Sequence, residues 1–489
     1  MCKNTIVVLN LLYLIRIIQL NSMAQQNEEL IKRISKLVKQ NQELIEHHER
    51  LTRENDKLQA KIENFKAILA DLKDKGAEID ESMIDRQRSL KFKMATVLFA
   101  NIHGFSRIAD GMDSEKMMDG LDQVLWQFDE LLKKYNIHKI KTIGDSYMCA
   151  GGIPVKNITN PVQVVLAALM MQQYLDDLQK NGKSSESIWE LKIGIHTGTV
   201  TADMVGRRKV SYDIKGDTVN IASRMESSGE VGKILVSVMS YELVKEFFIC
   251  EYYGKLPVKY KGDLEMFEVK GLRPEFSEGG LGRVPNDMFE TKFKLIQFID
   301  IQEMILDKLE KELPGYLYYH NVKHTVDVVT EVELIGWAEG CTDHEILLLK
   351  TAGLFHDAGH TIDYDGHEEL GCNMAKDFLP KYGYTDEQIE KICEIIMATK
   401  MPPKPETLLQ RIICDSDLDY LGRSDMIPVS NTLYKELKEQ DKIGTPNDWN
   451  KLQIKFISVH QYFTETARSL REVNKQMQIE RIKKLIVEE

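Results

Sequence analysis

No C-x-x-C pair occurs among the seven cysteines, which are scattered through the 489 residues. That absence argues against a zinc knuckle and a disulfide framework, and it favours a reducing, cytoplasmic setting. Excess positive charge is also lacking. The net charge is −12, so no general polyanion-binding surface, and no nucleic-acid partner, is expected. Nucleotide binding stays open, because a metal ion and a few local Lys or Arg suffice for it. No apolar run reaches the ~20 residues of a membrane-spanning helix. The nearest, Thr5 to Leu20, is interrupted by Arg16. It follows a weak positive start at Lys3 and lacks a small-residue cleavage site of the A-x-A type. Residues 1–26 are therefore read in two ways: as a mis-assigned start with Met23 the initiator, or as a weak membrane anchor. The rest of the composition is ordinary for a soluble globular protein, with 43% hydrophobic and 29% charged residues. The length accommodates about three domains at ~150 residues each.

Residues 27–72 carry a heptad repeat. Leu30, Leu37, Leu44, Leu51, Leu58, Phe65 and Leu72 recur at every seventh position, and Ile34, Asn41, His48, Asn55, Ile62 and Leu69 follow four residues behind. This a/d pattern predicts a coiled coil, and Asn at two a positions favours a parallel, in-register pair. A homodimer is the expected assembly. Residues 73–92 are polar and read as a joint. Residues 93–271 alternate strand-like runs (Ala95–Asn101, His138–Ile143, Ser146–Ala150, Leu191–Gly194) with helix-like runs (Ser114–Tyr135, Pro161–Gln179), the pattern of an α+β layer structure. Pro274, Gly279, Gly280, Gly282 and Pro285 mark residues 272–286 as a linker. Residues 287–489 lack strand alternation. Amphipathic runs at Phe293–Leu313, Val326–Ala338, His344–Phe355 and Thr385–Ala398 predict an all-α domain there.

Three segments of residues 93–271 carry chemistry. The first reads Ala95-Thr96-Val97-Leu98-Phe99-Ala100-Asn101-Ile102-His103-Gly104-Phe105-Ser106. The second, Lys141-Thr142-Ile143-Gly144-Asp145-Ser146-Tyr147-Met148, places Asp145 at the tip of a predicted hairpin. The third reads Tyr212-Asp213-Ile214-Lys215-Gly216-Asp217-Thr218-Val219-Asn220-Ile221-Ala222-Ser223-Arg224-Met225. In this order they resemble the class III adenylyl/guanylyl cyclase catalytic domain, which implies its ferredoxin-like α+β fold and conversion of ATP to cyclic AMP and diphosphate. Two metal ions, Mg²⁺ or Mn²⁺, lower the pKa of the ribose hydroxyl and neutralise the triphosphate in that chemistry, so two carboxylates are needed. The resemblance assigns Asp145 to one metal position. At the other, where the family has Asp, this chain has Asn101, which offers a carbonyl oxygen without charge.

The resemblance further pairs Lys141 and Asp213 as selectors of adenine. A Lys donor and an Asp acceptor suit the N1 acceptor and N6 donor of that base. Asn220 would orient the ribose, and Arg224 would stabilise charge on the α-phosphate. Lys259 would hold the triphosphate, and Arg208 is a further phosphate candidate. The family's site forms between two domains. A homodimer would carry Asn101 at both sites, whereas a heterodimer with an Asp-bearing paralogue would not.

The all-α half contains Tyr319-His320-Asn321-Val322-Lys323-His324-Thr325, then Leu354-Phe355-His356-Asp357-Ala358-Gly359-His360, His367-Glu368-Glu369 and Cys414-Asp415-Ser416-Asp417-Leu418-Asp419. A lone His on a helix is more often structural than a ligand, but an adjacent His-Asp between an H-x-x-x-H run and an Asp-rich turn is not a common accident. These motifs resemble the HD metal-dependent phosphohydrolases, and the Y-H-N-x-x-H run is similar to cyclic nucleotide phosphodiesterases within that superfamily. The resemblance implies a divalent metal of the Mn²⁺, Fe²⁺ or Mg²⁺ type held by His324, His356, Asp357 and Asp417, with Asp415 the alternative to Asp417. It implies His320 as the general acid on the leaving oxygen. His360 and His367 are candidates for a second metal position or for phosphate contact. Thr399-Lys400 stands where many two-metal members have another histidine. The expected whole is a cyclic nucleotide signalling enzyme with a cyclase and a phosphohydrolase half. The alternative is a cyclase domain that binds nucleotide without turnover and regulates the HD hydrolase.

Overall fold

The computed structural model describes residues 89–103, 114–181, 190–205, 211–258 and 262–486. The coiled coil expected at 27–72, the apolar N-terminus, Arg208 and Lys259 lie outside the described residues. Among those described, no helix is long and apolar enough to cross a membrane.

The first half is built on an eight-stranded sheet. Its interior strand β1 (Ser89–His103) begins inside the span read as a joint. Leu98, Ala100 and Ile102 face one apolar cluster, and Ala95, Val97 and Phe99 face another. Both faces of β1 are covered, so it reads as a near-continuous apolar run instead of an alternating one. Helices α1 (Ser114–Lys134) and α2 (Asn160–Asn181) pack on the first face. Strands β2 (His138–Ile143) and β3 (Ser146–Gly151) form a hairpin closed by Gly144-Asp145, with Gly144 at φ 61, the backbone such two-residue turns require.

Strand β4 (Glu190–Val205) pairs antiparallel with β1 and with β5 (Ser211–Lys215). Helix α3 (Asp217–Ser228) lies on the opposite face, with Ala222 in the second cluster. The helix sits so close to β4 that a Cβ on Gly194 would fall 2.2 Å from the Glu226 nitrogen. Strands β6 (Ile234–Ser237), β7 (Phe248–Val258) and β8 (Gly262–Leu272), with α4 (Val238–Val244) between β6 and β7, complete the order β2-β3-β1-β4-β6-β8-β7. Among the described residues, only the β4–β6 pair is parallel.

The segment expected as a linker folds onto this half. It forms short 3₁₀ turns at Pro274–Phe276 and Glu278–Gly280, and Phe276 is buried against Phe247. The rest is helical: α5 (Asp287–Glu312), α6 (Val322–Ala338), α7 (Asp343–Phe355), α8 (His367–Phe378), α9 (Asp386–Met397), α10 (Leu408–Asp417), α11 (Met426–Glu439), α12 (Pro446–Val459) and α13 (Val473–Lys483). Threonines 342, 385, 407 and 445 start α7, α9, α10 and α12 with capping boxes, in which the threonine and the residue three further on satisfy each other's free N–H groups.

Candidate functional site

The first candidate site lies at one end of the cyclase-like sheet. Asn101 on β1 stands opposite Ser146 of β3, next to the Gly144-Asp145 turn, and the Ile102 N–H donates to the Asp145 carbonyl at 3.0 Å. Asn101 shares the strand face of Val97 and Phe99 by the two-residue period. Asp145 is exposed and Asn101 half-buried. Lys141 Nζ lies 2.7 Å from Asp213 Oδ1, joining β2 to β5, with side-chain exposures of 41% and 53%. The pair is open to water, so it adds little stability and is free to exchange partners with a ligand. Asn220 and Arg224 lie one turn apart on the exposed side of α3, while Thr218, Ile221, Ala222, Met225 and Glu226 are buried. The expected residues therefore fall into three groups, each at least partly open to solvent. Asn101 and Asp145 share one end of the sheet, Lys141 pairs with Asp213, and Asn220 accompanies Arg224 on a helix.

The second candidate site is buried. Asn321 caps α6 by accepting the His324 N–H at 3.1 Å, which sets His324 in the first turn. Helix α7 ends just before His356 and Asp357, and a 3₁₀ turn, Ala358–Thr361, carries His360. Asp417 closes α10. His324 Nε2 is 3.1 Å from Asp417 Oδ1, 3.3 Å from Asp357 Oδ2 and 3.4 Å from His356 Nε2. His356 Nε2 is 3.2 Å from Asp357 Oδ2 and 3.7 Å from Asp417 Oδ1. His356 Nδ1–H donates to the Gly353 carbonyl at 2.9 Å, which leaves Nε2 as the ring atom facing the cluster.

Asp357 Oδ2, although buried, makes no hydrogen bond of good geometry. Burial opposes charge on His324, but Asp357 and Asp417 outweigh it and push its pKa up to about 9. His356 is raised for the same reason. Asp357 and Asp417 are held well below the carboxylate range against the effect of burial, chiefly by the two imidazoles. Two ring nitrogens and two carboxylate oxygens converging on one point, with one oxygen unsatisfied, fit a divalent cation. Asp415, the alternative to Asp417, is engaged elsewhere. It accepts the Phe463 N–H at 2.9 Å, the Thr464 N–H at 2.8 Å and the Thr464 hydroxyl at 2.7 Å.

His320 stands beside this cluster. Its Nδ1 is 2.5 Å from Glu436 Oε1, and Glu436 also accepts the backbone N–H groups of Tyr319 and His320 at 3.0 and 3.2 Å. Glu436 is fully buried on α11. It is the candidate site residue that motif reading missed, because no spacing signal distinguishes it from the solvated charges of an amphipathic helix. His360 is buried, with neither ring nitrogen partnered, and it stacks on His367 at a centroid distance of 3.9 Å. Burial pushes the His360 pKa down to about 3, so the ring is neutral. His320, Asp357 and His360 each point one ligand-type atom into a common space. Thr399 donates to the Ile396 carbonyl at 2.8 Å, and Lys400 pairs with Glu369 at the surface. A cavity of about 310 Å³ adjoins the cluster at His324 and Asp417, walled by Tyr319, Val328, Tyr420 and Arg423.

Comparison with known proteins assigns both halves. Residues 88–271 match the family model of the adenylate and guanylate cyclase catalytic domain, and residues 321–419 match that of the HD domain. The chain carries a class III cyclase catalytic domain followed by an HD domain. An adenylate cyclase of Mycobacterium tuberculosis (strain ATCC 25618 / H37Rv) is 34% identical over 219 residues, covering 44% of this chain and 48% of that protein. Guanylate cyclase 32E of Drosophila melanogaster is 31% identical over 190 residues, covering 38% and 16%. The human guanylate cyclase soluble subunit beta-2 is 36% identical over 179 residues, covering 36% and 28%. The chain thus spans about half the length of the mycobacterial relative and less of the others. Among solved structures, the adenylyl cyclase CyaB from P. aeruginosa is 27% identical, covers 40% of this chain and all of that one, and aligns with a TM-score of 0.36.

Proposed function

We propose that the cyclase half converts ATP to cyclic AMP and diphosphate and that the HD half is a metal-dependent phosphoesterase. The adenine reading rests on the Lys141–Asp213 pair. Its lysine donates to N1 and its aspartate accepts from N6, and guanine presents the reverse edge. Asn220 would orient the ribose and Arg224 would neutralise the α-phosphate, with Lys259 and Arg208 on the phosphates. Asp145 and Asn101 would hold Mg²⁺ or Mn²⁺. Since the three groups are at least partly open to solvent on one chain, the reading needs a second copy or a paralogue to close the site. The 27–72 heptads supply the means, and light scattering on the full chain measures the assembly. The six described cysteines are free thiols, in keeping with a cytoplasmic home.

In the HD half, His324, His356 and Asp417, which form one ligand group, would hold the divalent ion together with Asp357, whose Oδ2 is 3.3 and 3.2 Å from the two ring nitrogens. When bound, such an ion activates water and polarises the phosphoryl oxygen. His320, whose Nδ1 contacts Glu436, would protonate the leaving oxygen. His360, kept neutral by burial, is available to the phosphoryl group as a hydrogen-bond partner.

A second reading is favoured by Asn101 itself. With an amide at a metal position, the cyclase half would bind nucleotide without turning it over and act as a sensor for the hydrolase. Product analysis with ATP, GTP, CTP and UTP, with Mg²⁺ and Mn²⁺ compared, separates the two. Cyclic AMP from ATP supports the first, and saturable ATP binding with no cyclic product supports the second.

A further inference from the structure

Helix α5 belongs to two cores. Its first turns set Phe289 against Phe247 at a centroid distance of 5.1 Å, and Phe293 and Ile296 pack on the same cyclase-half cluster. From Phe298 onward its buried residues, Ile301, Ile305 and Leu309 among them, belong to the core of the helical half. There it packs on α7 and on the 3₁₀ turn that carries His360. The segment it supports is the one that presents His356 and Asp357. One unbroken helix therefore touches the backing of the HD cluster and the core of the cyclase domain.

Where the helix passes from one core to the other, Asp300 reaches back. Both its carboxylate oxygens accept the Ile158 N–H, at 3.2 and 3.0 Å. Burial raises the pKa of Asp300, so an acceptor is placed where a charge is disfavoured. Ile158 lies in the loop between β3 and α2. Two residues on, the fully buried Asn160 accepts the Thr96 hydroxyl at 2.6 Å and donates to the Asn157 carbonyl at 2.6 Å. Thr96 Oγ1 is 3.0 Å from Thr197 Oγ1 on β4, which is 2.8 Å from Ser240 Oγ. Thr96 sits on β1, the strand that carries Asn101 near its end. The loop has no slack, since a Cβ on Gly152 would meet the Met94 carbonyl and the Asn160 amide nitrogen at 2.8 Å. A buried polar chain of this kind holds as a unit, because breaking one bond leaves the next group unsatisfied.

We propose that α5, clamped by Asp300 to the 154–160 loop, couples nucleotide occupancy of the cyclase half to the geometry of the HD cluster. The inference rests on the reading of that cluster as a hydrolytic metal centre and names a regulator of it. Contact alone does not establish coupling, so the test measures it directly. The full chain, in Mn²⁺, is given an α,β-methylene analogue of ATP. Binding is followed by calorimetry, hydrolysis by bis(p-nitrophenyl) phosphate as the phosphodiester probe, and local geometry by amide hydrogen exchange at 154–160 and 355–361. The wild type should change its hydrolysis rate about fivefold or more on binding and change exchange in both segments. Asp300→Ala should keep its rate without analogue and lose the response. Asp300→Asn should keep part of it, because an amide oxygen still accepts the Ile158 N–H. If Asp300→Ala melts early, the partial response of Asp300→Asn decides. No analogue binding, binding with neither readout moving, or an equal response in Asp300→Ala and wild type overturns the proposal. A wild type that binds analogue and shifts exchange at 355–361 but hydrolyses nothing would sink the hydrolase reading and leave the coupling standing.

Discussion

An amide and a carboxylate differ at Asn101 by one unit of charge, placed where the proposed chemistry needs a cation held near a triphosphate. Replacing it by Asp should raise cyclic AMP formation roughly a hundredfold to a thousandfold, by analogy with regaining one transition-state interaction of ~2.7–4 kcal/mol. Wild-type turnover should favour Mn²⁺ over Mg²⁺, which demands near-ideal oxygen geometry. A product assay reads both, and an unchanged or lower rate in Asn101→Asp would show that the amide is adapted to its role. Glu436 invites a gentler change. Glu436→Gln keeps an acceptor for the two backbone N–H groups but weakens the hold on His320. Its phosphoesterase kcat should fall on the order of 10- to 100-fold with KM unchanged, and a fall in KM alone would contradict the orienting role. Glu331, beside the cavity, has its pKa raised to about 7 by burial, with Asp419 adding to the effect. A carboxyl raised in the folded state imposes no penalty below the unfolded value near 4.5, and its penalty grows as pH rises to about 7. Glu331→Gln should therefore raise Tm at pH 8 and leave it nearly unchanged at pH 4; the opposite ordering would show that Arg471 keeps Glu331 charged.

Helix α3 packs closely on β4, and Gly194 is the reason it lies where it does. A methyl group there would meet the Glu226 nitrogen at 2.2 Å and the Ala222 carbonyl at 2.5 Å, both backbone atoms unable to swing aside. Gly194→Ala should cost about 1–3 kcal/mol, lower Tm by about 2–4 °C per kcal/mol, and reduce nucleotide binding more than phosphoesterase activity, since α3 bears Asn220 and Arg224. Calorimetry and the two assays on one preparation check this. Elements of this kind were legible where periodicity or turn chemistry was strong. The runs at 138–143 and 146–150 lie in β2 and β3, and the amphipathic runs at 326–338 and 385–398 lie over α6 and α9. The choice between Asp415 and Asp417 was not legible. Two residues apart on one helix, they point different ways, and nothing local says which side faces the histidines. Phe289 was opaque for a related reason: a helical stripe announces that it is buried without saying against which neighbour.

At the scale of the whole molecule, the two halves meet inside a helix. A chain begun at residue 287 would expose Phe289, Phe293 and Ile296, whose cover is the cyclase core. It should self-associate and bind a hydrophobic dye, whereas the same fragment with these three changed to polar residues should stay dispersed and keep its metal. Size-exclusion chromatography distinguishes the two, and a monomeric, dye-silent 287–489 fragment would refute the shared-core description. The arrangement also bears on descent. Modules joined by a slack tether can be exchanged by recombination at almost any point along it. Here a crossover near residue 286 would hand the incoming helical half a partner surface lined by Phe247 and Phe276 that its first helix had never met. The two halves are therefore expected to have been inherited as one unit, with the residues on either side of that seam changing together across lineages.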